Sequence, residues 1–293
     1  NHQRLFWAFS VTLLGVLSIG LVTLNMHLGK PMRFYRGFNN WKLSPVSREI
    51  AGVTLFFMGL GAYAFAGLLG PNLLGLVTPD IVLILANIAS IAAFAGALIG
   101  LYYMIKLYLI PARPFWNHWQ TASSFIGSAL TLGAILIGFV TAIGLGLWPL
   151  LTNFLLPVMA LAGLLIEAIG LFFHARTLKA QGGEGAASHF EETTHYGKAY
   201  MTRNFLLAGN MVALVGFFFF GLPSNPLGAL LVMLLLSVSI LTSAIIGRAL
   251  FYVLVIPTTM PGSFFWRNKG FEQHAKDSGL AARIKAGVIA HKH

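Results

Sequence analysis

Seven long apolar stretches alternate with shorter polar ones along the chain, at 5–26, 50–69, 81–105, 123–145, 150–173, 205–222 and 227–256. Each approaches the roughly 20 residues that an α-helix needs to cross the hydrocarbon core of a bilayer. In lipid a helix must satisfy its own backbone groups. The pattern therefore predicts an all-α fold, a polytopic transmembrane bundle with seven helices in the given chain. Pro71, Pro149, Pro223, Pro226 and Pro257 fall at or near the ends of the stretches, where proline stops or starts a helix. Pro157 lies inside the fifth stretch and predicts a kink there. Gly96 and Gly100, four apart, allow a neighbouring helix to approach closely, although among 32 glycines this is a weak signal. The domain reading is a membrane domain over 1–256 followed by a polar tail over 257–293.

Composition agrees. Hydrophobic residues make up 57% of the 293 and charged residues only 9%, against roughly 25% in soluble domains. So few charges cannot cover a surface in water. There is no cysteine, which excludes a thiolate-bound iron–sulfur cluster, a cysteine zinc site and a disulfide within this chain. The first residue is Asn, not Met, so residues are expected to precede it; no signal peptide is visible.

Charge adds an orientation. Of the 19 Lys and Arg, 17 lie in the connections after the first, third and fifth stretches or in the tail, and the other three connections hold none. Arg4 lies on the other side, and Arg248 lies within the seventh stretch. The positive-inside rule places the basic loops and tail of this multi-pass chain in the cytoplasm. The net charge of +11 then reports topology and anionic lipid, and nucleic acid is not an expected partner. Two basic-side segments stand out. Residues 33–42 mix Arg33, Arg36 and Lys42 with Phe34, Tyr35, Phe38 and Trp41, and residues 263–293 are polar. Each fits an interfacial belt or loose tail as well as it fits a docking segment for a soluble partner.

Only eight carboxylates exist. Glu184, Glu191, Glu192, Glu272 and Asp277 read as loop or tail residues, and Asp80 as a cap or dipole partner at the start of the third helix. Glu49 and Glu167 remain as intramembrane candidates. Ser44 and Pro45 predict the start of the second helix, which makes Glu49 either a dipole-stabilised acid near that start or a functional one. His27, at the basic end of the first helix, should finish at the same membrane face, as should Arg33 and Arg48. An acid, an imidazole and guanidinium groups at the rim of an apolar bundle suit a quinone. Its ring and tail need an apolar slot, its oxygens need donors, and its two-electron step needs proton partners. Glu167, about two turns from His174, is placed to pair with Arg248; a helix-fixing ion pair is favoured over a proton path. His27, His118 and His174 all fall at one membrane face and no histidine lies mid-helix, so no haem is expected. The seventh stretch holds no lysine, which excludes a retinal Schiff base there. No Gly-rich phosphate loop or zinc motif is present.

Three elements carry a family resemblance: His27-Leu28-Gly29-Lys30-Pro31-Met32-Arg33, then Ser44 with Ser47-Arg48-Glu49-Ile50, then Ile246-Gly247-Arg248-Ala249-Leu250-Phe251-Tyr252. They resemble the membrane anchor of dimethyl-sulfoxide-reductase-type molybdoenzymes. The resemblance spans most of the chain, by hydropathy alone between the third and sixth helices. It implies an eight-helix anchor, so that one helix would precede this chain. It also implies a quinone site (menaquinone or ubiquinone) in which His27 and Glu49 match the family's histidine and carboxylate and Arg33 the arginine of the same motif. Two soluble partners are implied, a ferredoxin-like iron–sulfur subunit and a catalytic subunit carrying molybdopterin guanine dinucleotide. The cytoplasmic basic face, with Pro257–Gly262 and Phe264–Phe271 in the tail, looks more like the sulfite-oxidising anchors, for which quinone is the acceptor. The alternatives are a dimethyl sulfoxide reductase anchor that oxidises quinol, a purely structural tether, and a secondary transporter. The last would be expected to show inverted repeats and helices broken at mid-membrane, and neither is visible.

Overall fold

The structure, a computed structural model, describes residues 2–26, 30–72, 78–145, 154–181, 183–223, 225–256 and 277. His27 and all of the tail except Asp277 lie outside them. The described elements are α1 (His2–Met26), a 3-10 helix (Pro31–Phe38), α2 (Pro45–Asn72), α3 (Pro79–Tyr108), α4 (Trp119–Leu145), α5 (Leu155–Gln181), α6 (Gly183–Thr193), α7 (Gly197–Phe220) and α8 (Pro226–Val253). No strand occurs among the described residues. All except the 3-10 helix and the 11-residue α6 are long and apolar enough to cross a membrane, which makes seven, as the hydropathy pattern predicts.

Local chemistry starts the helices where the sequence signals lie. The Ser44 hydroxyl accepts from the Ser47 amide at 3.4 Å, just ahead of Pro45. Asp80 lies in the first turn of α3. Asn225 Oδ1 accepts from the Gly228 amide, with Pro226 in the first turn of α8. Three sequence expectations are corrected. Pro157 falls in the first turn of α5, where its missing N–H costs no helix bond, so it starts the helix and does not kink it. The sixth span begins at Gly197 and not near 205, so Arg203 is a helical and not a loop residue. Residues 183–193 form α6, and Glu192 within it is buried and not in a polar loop.

The chain divides into two compact units. One comprises Asn1–Leu107 and Leu136–Thr152, the other Tyr108–Ile135 and Asn153–His293. In the first unit α3 buries Ala89, Ala93, Gly96 and Gly100 while Ile84, Ile88, Ile91, Phe94 and Leu98 are exposed. A helix that hides its smallest side chains and presents its largest is built for lipid, where backbone approach and not apolar burial drives packing. The partner is α2: a Cβ on Gly52 would stand 2.5 Å from the Gly100 amide nitrogen, and one on Gly59 2.5 Å from that of Ala93. A Cβ on Gly96 would collide with the backbone at Phe56. Gly96→Leu is therefore expected to force the two helices apart, at about 1–3 kcal/mol or more for overpacking. Ile91→Leu, on the exposed side of α3, serves as control. Thermal unfolding of both purified variants checks this, and equal midpoints would refute it.

The second unit repeats the device. A Cβ on Gly127 of α4 would lie 2.6 Å from the Gly163 carbonyl of α5, and the Thr131 hydroxyl stands within reach of the Gly127 and Ala160 carbonyls at 2.9 and 3.2 Å. Ala134, Ala160, Leu164, Leu207 and Leu214 form its apolar core, from α4, α5 and α7. The 109–118 connection lies under the end of α8. Trp116 Nε1 donates to the Phe251 carbonyl at 2.7 Å, its ring stacks on Phe251 at 5.4 Å, and Arg113 lies over the Trp116 ring. That bond satisfies one of the carbonyls that a helix end leaves unpaired.

Candidate functional site

Among the sequence-derived site residues in the first unit, Arg33, Arg48 and Glu49 are described. Arg33 is exposed on the 3-10 helix Pro31–Phe38, which also presents Phe34 and Tyr35 outward. Cations and aromatic rings on one short segment match a headgroup-level position. Arg48 is committed locally. Its Nε donates to the Trp41 carbonyl at 2.9 Å and its Nη2 to the Lys42 carbonyl at 2.5 Å. Its Nη1 reaches the Tyr103 hydroxyl at 3.4 Å, and the guanidinium lies 5.4 Å from the Tyr103 ring centre. Arg48 thus ties the 41–42 turn to α2, and Tyr103 of α3 to both. This is a positioning role that the sequence does not display.

Glu49 is half-buried. Because α2 starts at Pro45, Glu49 stands one turn in, beyond the first turn where the helix dipole acts most strongly. Among the described residues its carboxylate has no hydrogen bond and no ion pair within 4.0 Å. A half-desolvated acid without a local partner costs stability unless something else uses it.

The second unit holds a different polar group of residues. Glu167 of α5 and Arg248 of α8 line one cavity, together with Gln120, His174, Glu192 and Arg203. Glu167 Oε1 comes within 3.8 Å of where a Cβ on Gly247, the residue before Arg248, would sit. Among the described residues, however, neither Glu167 nor Arg248 makes an ion pair within 4.0 Å. The Arg248 guanidinium lies 4.0 Å from the Phe125 ring centre and 5.6 Å from that of Phe251. The direct pair is Arg203 Nη2 with Glu192 Oε1 at 3.5 Å, both side chains 5% exposed, and His189 Nδ1 stands 3.6 Å from Glu192 Oε2.

Sequence reasoning missed this pair because Arg203 and Glu192 lie at the polar margins of apolar runs. The signal available was the concentration of small residues in Gly185-Ala186-Ala187-Ser188 ahead of Glu192, which lets α6 seat against its neighbours; Ala187 and Ser188 are fully buried. The two histidines at this end are neighbours. Their ring centres are 5.1 Å apart, His174 Nε2–H donates to the Phe115 carbonyl at 2.9 Å, and His118 Nδ1 accepts from the Gln120 amide at 3.0 Å. Burial pushes the His118 imidazole below its ordinary range.

Comparison with known proteins adds what geometry alone does not. Residues 1–254 match the family described as "DMSO reductase anchor subunit (DmsC)". The curated protein "Anaerobic dimethyl sulfoxide reductase chain YnfH" of Escherichia coli (strain K12) is 27% identical over 123 residues, 41% of this chain and 39% of that protein. The chain thus spans about two fifths of the length of the curated relative it matches. No solved structure matches.

Proposed function

The chain belongs to the DMSO reductase anchor subunit family, and from that premise we propose that it is the quinone-reactive membrane anchor of a molybdopterin oxidoreductase complex. It passes electrons between a ferredoxin-like iron–sulfur subunit and the quinone pool of a bacterial inner membrane, with its basic loops and tail on the cytoplasmic side. The observation that carries the quinone reading is Glu49, a half-buried acid one turn into α2 without a protein partner among the described residues. A quinone carbonyl that gains or loses a proton supplies the missing partner, and His27 supplies the second proton group. Arg33 offers a donor to the ring oxygens, and Arg48 holds the 41–42 turn over the start of α2 so that the slot keeps its shape. The chain itself carries no haem in this reading. The iron–sulfur clusters and molybdopterin guanine dinucleotide belong to the partners.

Two substrates for the catalytic partner each have a specific observation behind them. The stretch over 257–271 and the cytoplasmic basic face favour sulfite oxidation, with quinone as acceptor. The family and the E. coli relative favour S-oxide reduction, with quinol as donor. Mass-spectrometric identification of what accompanies the chain out of its native membrane tests the whole reading. A cysteine-rich ferredoxin-like protein and a molybdopterin protein are expected. Recovery of neither turns the reading toward a secondary transporter. The same preparation, given sulfite with quinone or dimethyl sulfoxide with quinol, reveals the substrate by which pair turns over.

A further inference from the structure

The cavity in the second unit contains an electrostatic mismatch. It is lined by two permanent cations, Arg203 and Arg248, and two acids, Glu167 and Glu192. Arg203 is taken by Glu192 at 3.5 Å. That leaves Arg248 for Glu167, yet neither has an ion-pair or hydrogen-bond partner within reach among the described residues. A third group is also orphaned. Gln120, 5% exposed, gives its amide nitrogen to the Ser124 hydroxyl at 2.7 Å, and its Oε1 has no partner. If the amide is turned over, its nitrogen is orphaned instead. A half-buried guanidinium, a half-buried carboxyl group and a buried amide thus border one space without a hydrogen-bond partner for the carboxyl, the guanidinium or the amide oxygen, and for the buried amide oxygen such neglect costs about 1–3 kcal/mol.

The space itself is about 20 Å³ as measured by where the centre of a water molecule can go. Roughly 10–15 Å³ on that measure holds one water, and a water needs two to four polar partners, which these side chains supply. The cavity also spans depth. Glu167 and Arg248 belong to membrane spans, whereas Glu192 is on α6 and Phe115 in the 109–118 connection, both outside the spans. Water in the cavity would therefore link a carboxyl group inside the membrane to the end of the bundle that bears the basic loops.

We propose that this cavity is an internal water site at which Glu167 exchanges protons with the solvent on the basic-loop side. Arg248 and Gln120 hold the water, and Glu167 carries the exchangeable proton on its carboxyl group. Arg203, fixed by Glu192, supplies a second cation near Glu167. The titratable groups facing it are His174 on α5, Glu192 and His189 on α6, and His118 in the connection before α4. The proposal does not depend on the quinone reading, and its test needs no turnover.

The test uses the native complex in lipid nanodiscs. X-ray footprinting in H2-18O labels side chains beside bound water even when bulk solvent cannot reach them. Phe115 and Phe251, 4% and 5% exposed and lining the cavity, are expected to label several-fold above Leu164 and Leu178, 2% and 1% exposed and outside its lining. In parallel, infrared spectra of wild type minus Glu167→Gln should contain a carboxyl signal that changes with pH and shifts in D2O. Labelling of Phe115 and Phe251 no stronger than that of the two leucines would mean a dry cavity and overturn the proposal. So would a Glu167 signal identical at every pH or unmoved by D2O. Footprinting on wild type stands by itself if the variant fails to assemble.

Discussion

Replacing Glu49 by Gln, or His27 by Ala, is expected to lower quinone-coupled turnover by about 10²-fold or more, the scale of a lost general acid or base. The complex should still assemble. Glu49→Gln keeps the shape of the side chain and removes only its proton chemistry. Assembly should survive because Glu49 has no protein partner among the described residues, and its neighbour Arg48 would keep its bonds to the Trp41 and Lys42 carbonyls. The readout is a pair of measurements on each variant: quinone-coupled turnover, and turnover of the catalytic partner with an artificial electron carrier that bypasses the membrane. Loss of the first with the second intact places the defect at the quinone. Normal quinone turnover in both variants would remove Glu49 and His27 from the site and leave the chain a tether.

Replacing Arg203 by Met is expected to destabilise the second unit by about 3–5 kcal/mol, the cost of leaving one member of a buried pair without its partner. Arg203 and Glu192 are each 5% exposed, and Arg203 also donates to Asn204 Oδ1 from Nε and Nη2 at 3.1 and 3.0 Å and lies 5.0 Å from the Tyr200 ring centre. Removing both charges together, Arg203→Met with Glu192→Leu, should return most of the loss, because two desolvated charges are exchanged for apolar contacts. The difference between the single and double variants is the coupling of the pair. Unfolding midpoints of the purified protein report it. A double variant as unstable as the sum of the two single ones would mean that the charges act independently and that their contact is incidental.

The two predictions fall on either side of a line between what was legible in one dimension and what was not. Hydropathy located seven spans because lipid imposes one requirement on every residue of a span, and that requirement does not depend on neighbours. Helix starts marked by local chemistry were legible for the same reason: the Ser44 cap ahead of Pro45, and Asp80 in the first turn of α3, lie within one turn of their own helix start. Helix starts in polar sequence were not. Gly197 to Asn204 continue α7 eight residues ahead of the apolar run, and Gly183–Thr193 is a helix with few large apolar residues. Hydropathy cannot tell such turns from loops, since their helical form is settled by what they pack against.

The seven-helix architecture, the one-sided distribution of Lys and Arg, and Glu49 and Glu167 as the acids within spans could all be derived from the linear chain, because each depends only on a residue and its medium. Which charges meet could not. Two spans of opposite charge are compatible with many pairings, and the choice depends on which helices can approach closely. Here that is set by small residues brought to one face, as with Gly127 against Gly163 or Gly52 against Gly100. With α4, α5, α6, α7 and α8 around one cavity, Arg203 goes to Glu192, and Glu167 and Arg248 are left facing a gap the size of a water molecule. Coulomb attraction is strong only at contact distance in a low-dielectric interior, so it is tertiary packing that decides which pairs come into contact and which remain to be satisfied by water.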